Sequence, residues 1–521
     1  MILFKNRYRF TGFLVITAIV FSVLFLGPNY RHYPSSGIKD LFLIVGHWGV
    51  SALGLFVLTA IMAVSRYVYF ILFPLFTILG SVSAFFVWQI DISINPALVE
   101  SLIQTNVGEI ANYISWPLIV FLLLCLGLSF FSVFLRFRIS WNRKEAVPLI
   151  ILVVVCAALF LTVNRIRYNT LTARAPFSYF HAVNGYFSNI EEIQSDRVML
   201  GKGASCKNDS LITVFVIGEA LRADHLQMNG YHRETMPKME ARGVVSLPNV
   251  YSPHTHTAAS LRYILTRAEE SNPDPMFRES SFVDIFSESS FHSAWLGNQN
   301  PVTPVRFFIN ECDTVAINKP QFSDYSNTKK FDSDLVEPYK SLIRKNRKKQ
   351  LIVLHMAGNH WWYNNNLPED HVFYTPILEN KTLSLSNKER MINSYDNVTR
   401  FVDTVIDSFI ASLEGKNALL IFLSDHGQSF GEKGKWLHTN DMPAEKNPAS
   451  FVWMSGKYKK LNAEKAGNIQ KNRKKRVDTS FLFHTILDGS NIITPHLNAS
   501  LSLFSAPTSL QETERIGSSE E

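Results

Sequence analysis

Five long uncharged apolar runs, all before residue 165, dictate most of what this chain can fold into. They cover roughly 10–26, 41–64, 67–90, 116–135 and 146–163. Each approaches the ~20 residues an α-helix needs to cross a bilayer core. A helix packed on a water-facing core keeps one polar face, and these runs have none. They read as an α-helical membrane domain of five transmembrane helices over 1–164. Lys5, Arg7 and Arg9 precede the first run and no small-residue cleavage site follows it, so it is expected to be an uncleaved anchor.

Loop charge sets the expected orientation. The N-terminal segment and the loop with Arg136, Arg138, Arg143 and Lys144 are basic and belong in the cytoplasm. The 91–115 loop has Asp91, Glu100 and Glu109 but no Lys or Arg, and belongs outside. The 28–40 loop, with Arg31 and Lys39, is a mild exception. Five spans then place everything after residue 165 outside the cytoplasm.

Residues 207–505 read as a soluble α/β domain. Apolar strands at 211–217, 351–355 and 418–423 alternate with amphipathic helical stretches such as 387–413. That pattern implies a central, mostly parallel sheet with helices on both faces. The 165–206 segment mixes Tyr168, Phe177, Phe180 and Phe187 with scattered charge, as an interfacial bridge or an ordinary linker helix would. The 91–115 loop is expected to carry a short helix along the outer membrane face. The Ser-, Thr- and Glu-rich tail, 506–521, is expected to be disordered.

A net charge of +7 does not call for a nucleic-acid partner. The basic runs at 345–349 and 471–476 read as solvated loops or helix ends, of the kind that also meet anionic headgroups. Cys125 and Cys156 lie in spans as packing residues. Cys206 and Cys312 lie in the outer domain, where a disulfide is permitted but not required.

Three fragments carry chemistry. One apolar strand ends in Gly218-Glu219, another in Ser424-Asp425-His426-Gly427, and Thr257 lies between them in a His- and Thr-rich turn. Parallel sheets place ligands at the carboxyl ends of their strands. A hydroxyl is a poor nucleophile at neutral pH unless activated, and a metal is one means of activation. Glu, Asp and His are donors that suit zinc. Each residue has an ordinary alternative: Glu219 as a helix-terminal acid, Thr257 as a turn hydroxyl with Thr255 as its competitor, His360 and His438 as packed rings. His254 and His256 read as surface or supporting histidines, His225 and His232 as surface residues.

The order and spacing of the motifs resemble the phosphoethanolamine transferases of Gram-negative inner membranes, within the alkaline phosphatase/sulfatase superfamily. The resemblance rests on Gly218-Glu219 with Arg222 and Asp224, on Asn229-Gly230-Tyr231 with Arg233, Thr235 and Pro237, and on Thr255 to Ala258. It continues through His355, Gly358, Asn359 and His360, Tyr395-Asp396-Asn397, Ser424 to Ser429, and Leu437-His438. It implies a sulfatase-like fold and Thr257 as catalytic nucleophile. It implies Glu219, Thr257, Asp425 and His426 as ligands of one tightly bound Zn2+, with a second ion possible. His360, His438 and Asn298 would bind substrate. Phosphatidylethanolamine would be the donor, and lipid A or lipopolysaccharide core the expected acceptor, with a glucan or other envelope acceptor open. The protein would be a multi-pass monomer of the inner membrane with a periplasmic catalytic domain.

This chain departs from the family pattern in three places. It lacks the cysteine pair many relatives place around the nucleophile, and Arg262-Tyr263 follows instead of a proline and a cysteine. Gln428 stands for a frequent glutamate and Trp361 for a common glycine. Two rival functions remain at this stage. One is a phosphoglycerol transferase of the lipoteichoic-acid-synthase type; the other is a non-enzymatic sensor on a degenerate transferase fold. A hydrolytic sulfatase is disfavoured, since no Cys/Ser-x-Pro-x-Arg motif occupies the nucleophile position.

Overall fold

The structure is a computed structural model that describes residues 9–507, apart from 31–36, 91–93, 95, 105–112, 140–142, 167–170, 173, 190–196, 300–302, 318–329 and 382. The tail from 508 onward and parts of the 91–115 and 165–206 segments therefore lie outside the described residues.

Five helices are long and apolar enough to cross a membrane: α1 (Arg9–Leu26), α2 (Ile38–Ala63), α3 (Arg66–Ile90), α5 (Trp116–Arg138) and α6 (Arg143–Ile166). Phe42, Ile71, Leu124 and Val154 are each more than half exposed on their surfaces, which only an apolar solvent accommodates at this density. Inside the bundle, close packing replaces the hydrophobic effect as the cohesive force. A methyl group at Gly80 would lie 2.6 Å from the Phe25 ring, so that helix pair meets only because the residue is glycine. Small hydroxyls bond across helices, Tyr69 to Ser132 at 2.8 Å and Thr77 to Ser129 at 3.1 Å. The buried Arg136 guanidinium donates to the Ala63 and Val64 carbonyls, satisfying the open end of α2.

Two shorter helices, α4 (Pro96–Gln104) and α7 (Ser178–Asn189), pack on each other, with Gly185 against Pro96. Phe180 and Phe187 remain exposed on α7, as an interfacial helix requires.

The second half is built on a seven-stranded sheet. Its strands are β1 (Leu211–Gly218), β2 (Val245–Ser246), β3 (His292–Gly297), β4 (Thr314–Ile317), β5 (Lys349–His355), β6 (Ala418–Ser424) and β7 (Ser450–Met454). The spatial order is β2-β7-β6-β1-β5-β3-β4. The run from β6 to β4 is parallel, while β7 and β2 are antiparallel additions at one edge. Every residue of β1 is buried, because both faces of the sheet are covered. Val214 and Val216 face a core shared with α9 (Lys388–Ala411), which contributes Val402, Ile406 and Phe409. Phe215 and Ile217 face the opposite core, with Leu261 and Ile264 of α8 (Thr257–Leu265) and Leu482 and Ile486 of α10 (Phe481–Gly489).

Register decides where the chemistry falls. Gly218 pairs with Ser424, Ile217 with His355, and His355 with Gly297. The strands thus end level, and the residues just beyond them share one edge. Phe86 of α3 and Tyr113 pack against the core cluster that includes Trp361, Tyr363 and Trp436, which joins the two halves of the chain beside that edge.

Candidate active site and metal centre

At this edge the backbone leaves β1 and β6 side by side. The Asp425 amide donates to the Gly218 carbonyl at 3.1 Å, and the Leu221 amide to the Ser424 hydroxyl at 2.8 Å. Asp425 Oδ1 accepts from the amides of Ala220 (3.1 Å) and His426 (2.8 Å), which fixes the carboxylate and leaves Oδ2 facing inward. Ala220 turns through a left-handed φ of 52°, and Tyr395 holds that turn by donating to the Ala220 carbonyl at 2.7 Å. Gly358 packs against the Glu219 backbone, where a Cβ would lie 3.2 Å from the amide nitrogen.

His426 is set by one bond. Its Nδ1 lies 2.7 Å from the Gly427 carbonyl oxygen, an acceptor only, so Nδ1 carries the proton and Nε2 presents a lone pair. That Nε2 stands 3.6 Å from Glu219 Oε1 and 3.5 Å from Asp425 Oδ2. All three atoms are buried and have no hydrogen-bond partner. One ligand atom from each of Glu219, Asp425 and His426 lies within 4.8 Å of the others. Three bare acceptors facing one another out of water repel strongly, and a cation satisfies all three at once. In the absence of such a charge, burial and then the Asp425 carboxylate push the Glu219 carboxyl up to about 8. The donor set therefore fits a divalent metal, and its oxygen and nitrogen chemistry fits zinc.

Thr257 opens α8, and its hydroxyl donates to Glu219 Oε2 at 3.1 Å. Thr255 is buried, whereas Thr257 is partly accessible. Around them stand further imidazoles. His438 lies tilted against His426 with ring centres 4.7 Å apart, and burial together with His426, His360 and His256 holds it well below its ordinary value. Its loop is strained, with Leu437 and Thr439 on either side at φ of 65° and 69°. His360 lies close enough to Glu219 for its charge to act on that carboxyl.

The structure thus brings Glu219, Thr257, Asp425 and His426 together, with His360 and His438 beside them. Asn298 follows β3 at the same edge. Its side chain donates to Asp332 Oδ1 at 3.0 Å, and Asp332 in turn accepts the Ala357 and Gly358 amides at 2.8 Å. Asn298 therefore secures the loop under Glu219. The neighbouring Gln299 is the residue that enters the site, donating to Glu219 Oε2 at 3.0 Å and to the Met356 carbonyl at 2.9 Å. No motif signalled Gln299; only the level strand ends do.

His225 corrects one expectation. It is buried, not a surface residue, and its Nδ1 lies 2.8 Å from Asp396 Oδ1. Asp396 also accepts from Tyr231 and Arg233, both at 2.9 Å. The Asn229–Arg233 motif is thereby explained as the cover of a buried carboxylate on α9. His232 is exposed, while His256, next to Thr257, is buried. Cys206 and Cys312 are free thiols.

A mostly parallel sheet thus carries a candidate acid–histidine metal site at its strand ends with a helix-initiating hydroxyl beside it, and the sulfatase family model matches residues 212–492. The chain belongs to that family. A second model, that of phosphoethanolamine transferase EptA/EptB, matches residues 52–175 in the membrane half. Among curated proteins the chain is similar to phosphoethanolamine transferase EptA of Escherichia coli (strain K12), with 24% identity over 463 residues covering 82% of this chain and 83% of that one. Its fold is that of lipooligosaccharide phosphoethanolamine transferase A of Neisseria meningitidis, with a TM-score of 0.81, 19% identity, and coverage of 95% of this chain and 99% of that one. The C-terminal periplasmic domain of Escherichia coli EptC, solved in complex with Zn, matches with a TM-score of 0.54, 21% identity, and coverage of 59% and 90%.

Proposed function

We propose that this protein is a zinc-dependent transferase of the inner membrane. It would move phosphoethanolamine from phosphatidylethanolamine to lipid A or the lipopolysaccharide core, with Thr257 carrying the group between them. The observation that carries this reading is the hydroxyl of Thr257 bonded to a carboxylate whose other oxygen is one of three bare, buried metal-ligand atoms. Zinc held by Glu219, Asp425 and His426 would lower the proton affinity of an adjacent hydroxyl and offset charge on transferring oxygens.

The remaining work falls to side chains. Thr257 Oγ1 forms the bond to phosphorus as the bond to diacylglycerol breaks; the threonine proton, which already has an acceptor in Glu219 Oε2, passes on to the departing diacylglycerol oxygen. His360 and His438, beside the three ligand atoms, would hold the phosphate oxygens, and an acceptor hydroxyl then displaces Thr257 in a second transfer, its proton returning to the threonine oxygen. The similarity to named phosphoethanolamine transferases in both halves favours this donor over phosphatidylglycerol. The packing of Phe86 and Tyr113 against the soluble core supports a site held at headgroup height, within reach of two lipid substrates. The charge asymmetry of the loops supports a periplasmic catalytic domain.

Full-length protein given fluorescent phosphatidylethanolamine should release labelled diacylglycerol, contain zinc by elemental analysis, and stop when chelated. Thr257→Ala should abolish release, and mass spectrometry should find phosphoethanolamine on Thr257 of the wild type. Full turnover by Thr257→Ala would end the nucleophile assignment.

A further inference from the structure

Positive charge gathers in two places, the membrane half (residues 1–174, net +8) and one stretch of the soluble half. Residues 441–480 contain ten basic and four acidic side chains, a net +6, against +7 for all 521 residues. Lys446 and Lys465 are neutralised by Asp441 and Asp488, and the Lys475 ammonium donates to the Ser500 carbonyl. Lys471, Arg473, Lys474 and Arg476 are exposed and have no ion pair among the described residues. A helix C-terminus gains from one or two nearby cations. Five basic residues in the six of 471–476 exceed that need and repel one another.

This run is fastened to the nucleophile's own segment. Asn249 Nδ2 donates to the Lys474 carbonyl at 2.7 Å, and the Val477 amide donates back to Asn249 at 3.2 Å. Residues 477–478 then pair in parallel with 250–251, and the Thr479 amide donates to the Tyr251 carbonyl at 2.8 Å. Eight positions separate Asn249, the residue level with the basic run, from Thr257, a reach of no more than about 28 Å. On the far side, Asp478 lies close enough to Tyr263 of α8 for its charge to act on the phenol. The basic run therefore cannot move independently of the residue proposed to carry phosphoethanolamine.

We propose that Lys471, Arg473, Lys474 and Arg476 form the docking surface for the phosphate groups of the acceptor, which is a phosphorylated glycolipid. Arginine and lysine at a rim recruit such anions over roughly a Debye length of ~8–10 Å and hold them by charge-assisted bonds. This inference rests on the transferase reading for the identity of the acceptor. It assigns acceptor choice to a surface distinct from the metal centre, and donor cleavage does not depend on it.

The test compares full-length wild type with Arg473→Ser/Lys474→Ser/Arg476→Ser in detergent. The binding probe is a bisphosphorylated glucosamine disaccharide without acyl chains, beside its dephosphorylated counterpart. Wild type should bind only the phosphorylated sugar, with affinity that falls as salt rises; the triple variant should bind it at least about tenfold more weakly. Release of diacylglycerol from phosphatidylethanolamine should be unchanged. Equal binding by both proteins, or equal binding of both sugars by wild type, overturns the proposal. Loss of diacylglycerol release in step with loss of binding to anionic vesicles also overturns it, making the run a membrane contact. If the wild type released no diacylglycerol, the proposed reaction would fall while the sugar-binding comparison still decided the docking surface.

Discussion

Gly427→Ala isolates the dependence of the metal centre on backbone placement. Gly427 follows His426, and its carbonyl fixes the His426 ring through the 2.7 Å bond to Nδ1. A Cβ added at residue 427 would lie 2.1 Å from the Ala444 carbonyl oxygen, against ordinary contacts that begin at 3.4 Å. The obstacle is backbone, and the Gly427 amide is already bonded to the Glu445 carbonyl at 2.6 Å. Relief therefore requires residue 427 to retreat by about 1.3 Å, carrying with it the oxygen that orients the imidazole. Overpacking of this kind costs about 1–3 kcal/mol of stability. Losing a ligand's orienting partner costs ~10–100-fold in metal affinity, and misplacing a reacting group by about 1 Å costs ~100-fold in rate. Elemental analysis after dialysis and diacylglycerol release read the two effects separately. Gly467→Ala is the control, since nothing lies within 4 Å of its Cβ and the helix there gains up to about 1 kcal/mol. Full metal content and wild-type turnover in Gly427→Ala would refute the claim that the Gly427 carbonyl positions a ligand.

Two further outcomes follow from buried carboxylates away from the metal. Asp396→Ala strips the partner of His225, Tyr231 and Arg233, and chemical denaturation should show a loss of about 3–5 kcal/mol; an unchanged midpoint would mean the network is incidental. Burial pushes the Glu311 carboxyl up to about 7, so its protonated form favours the fold below the ordinary carboxyl range and that contribution is lost as pH rises through 7. Wild type should lose about 3 kcal/mol relative to Glu311→Gln between pH 4.5 and 8, and parallel stability profiles would show that Glu311 ionises without penalty.

Much of this arrangement is legible along the chain because local rules suffice for it. Apolar runs of bilayer length announce the five spans, and α2, α3 and α5 end within a few residues of the expected positions. Glu219 and Asp425-His426 are readable because strands buried on both faces are unbroken apolar runs, so an acid at the end is conspicuous. What escaped depends on register and long-range pairing. Gln299 reaches Glu219 only because β3 and β5 end level with β1, and nothing around residue 299 advertises that. His225 looks like any loop histidine until Asp396, far along the chain on α9, is placed above it. The 471–476 run is solvated as expected, but only the pairing of residues 477–478 with 250–251 shows that it adjoins the strand before Thr257.

The turn that presents Thr257 is secured without a covalent link. Arg262 donates back to the Ala258 carbonyl at 3.1 Å and lies over the Phe277 ring, while Tyr263 packs edge-on against His254. None of the four cysteines is paired. The fold of the domain thus does not rest on disulfide formation, and reductants that cripple cystine-braced enzymes should leave this one working.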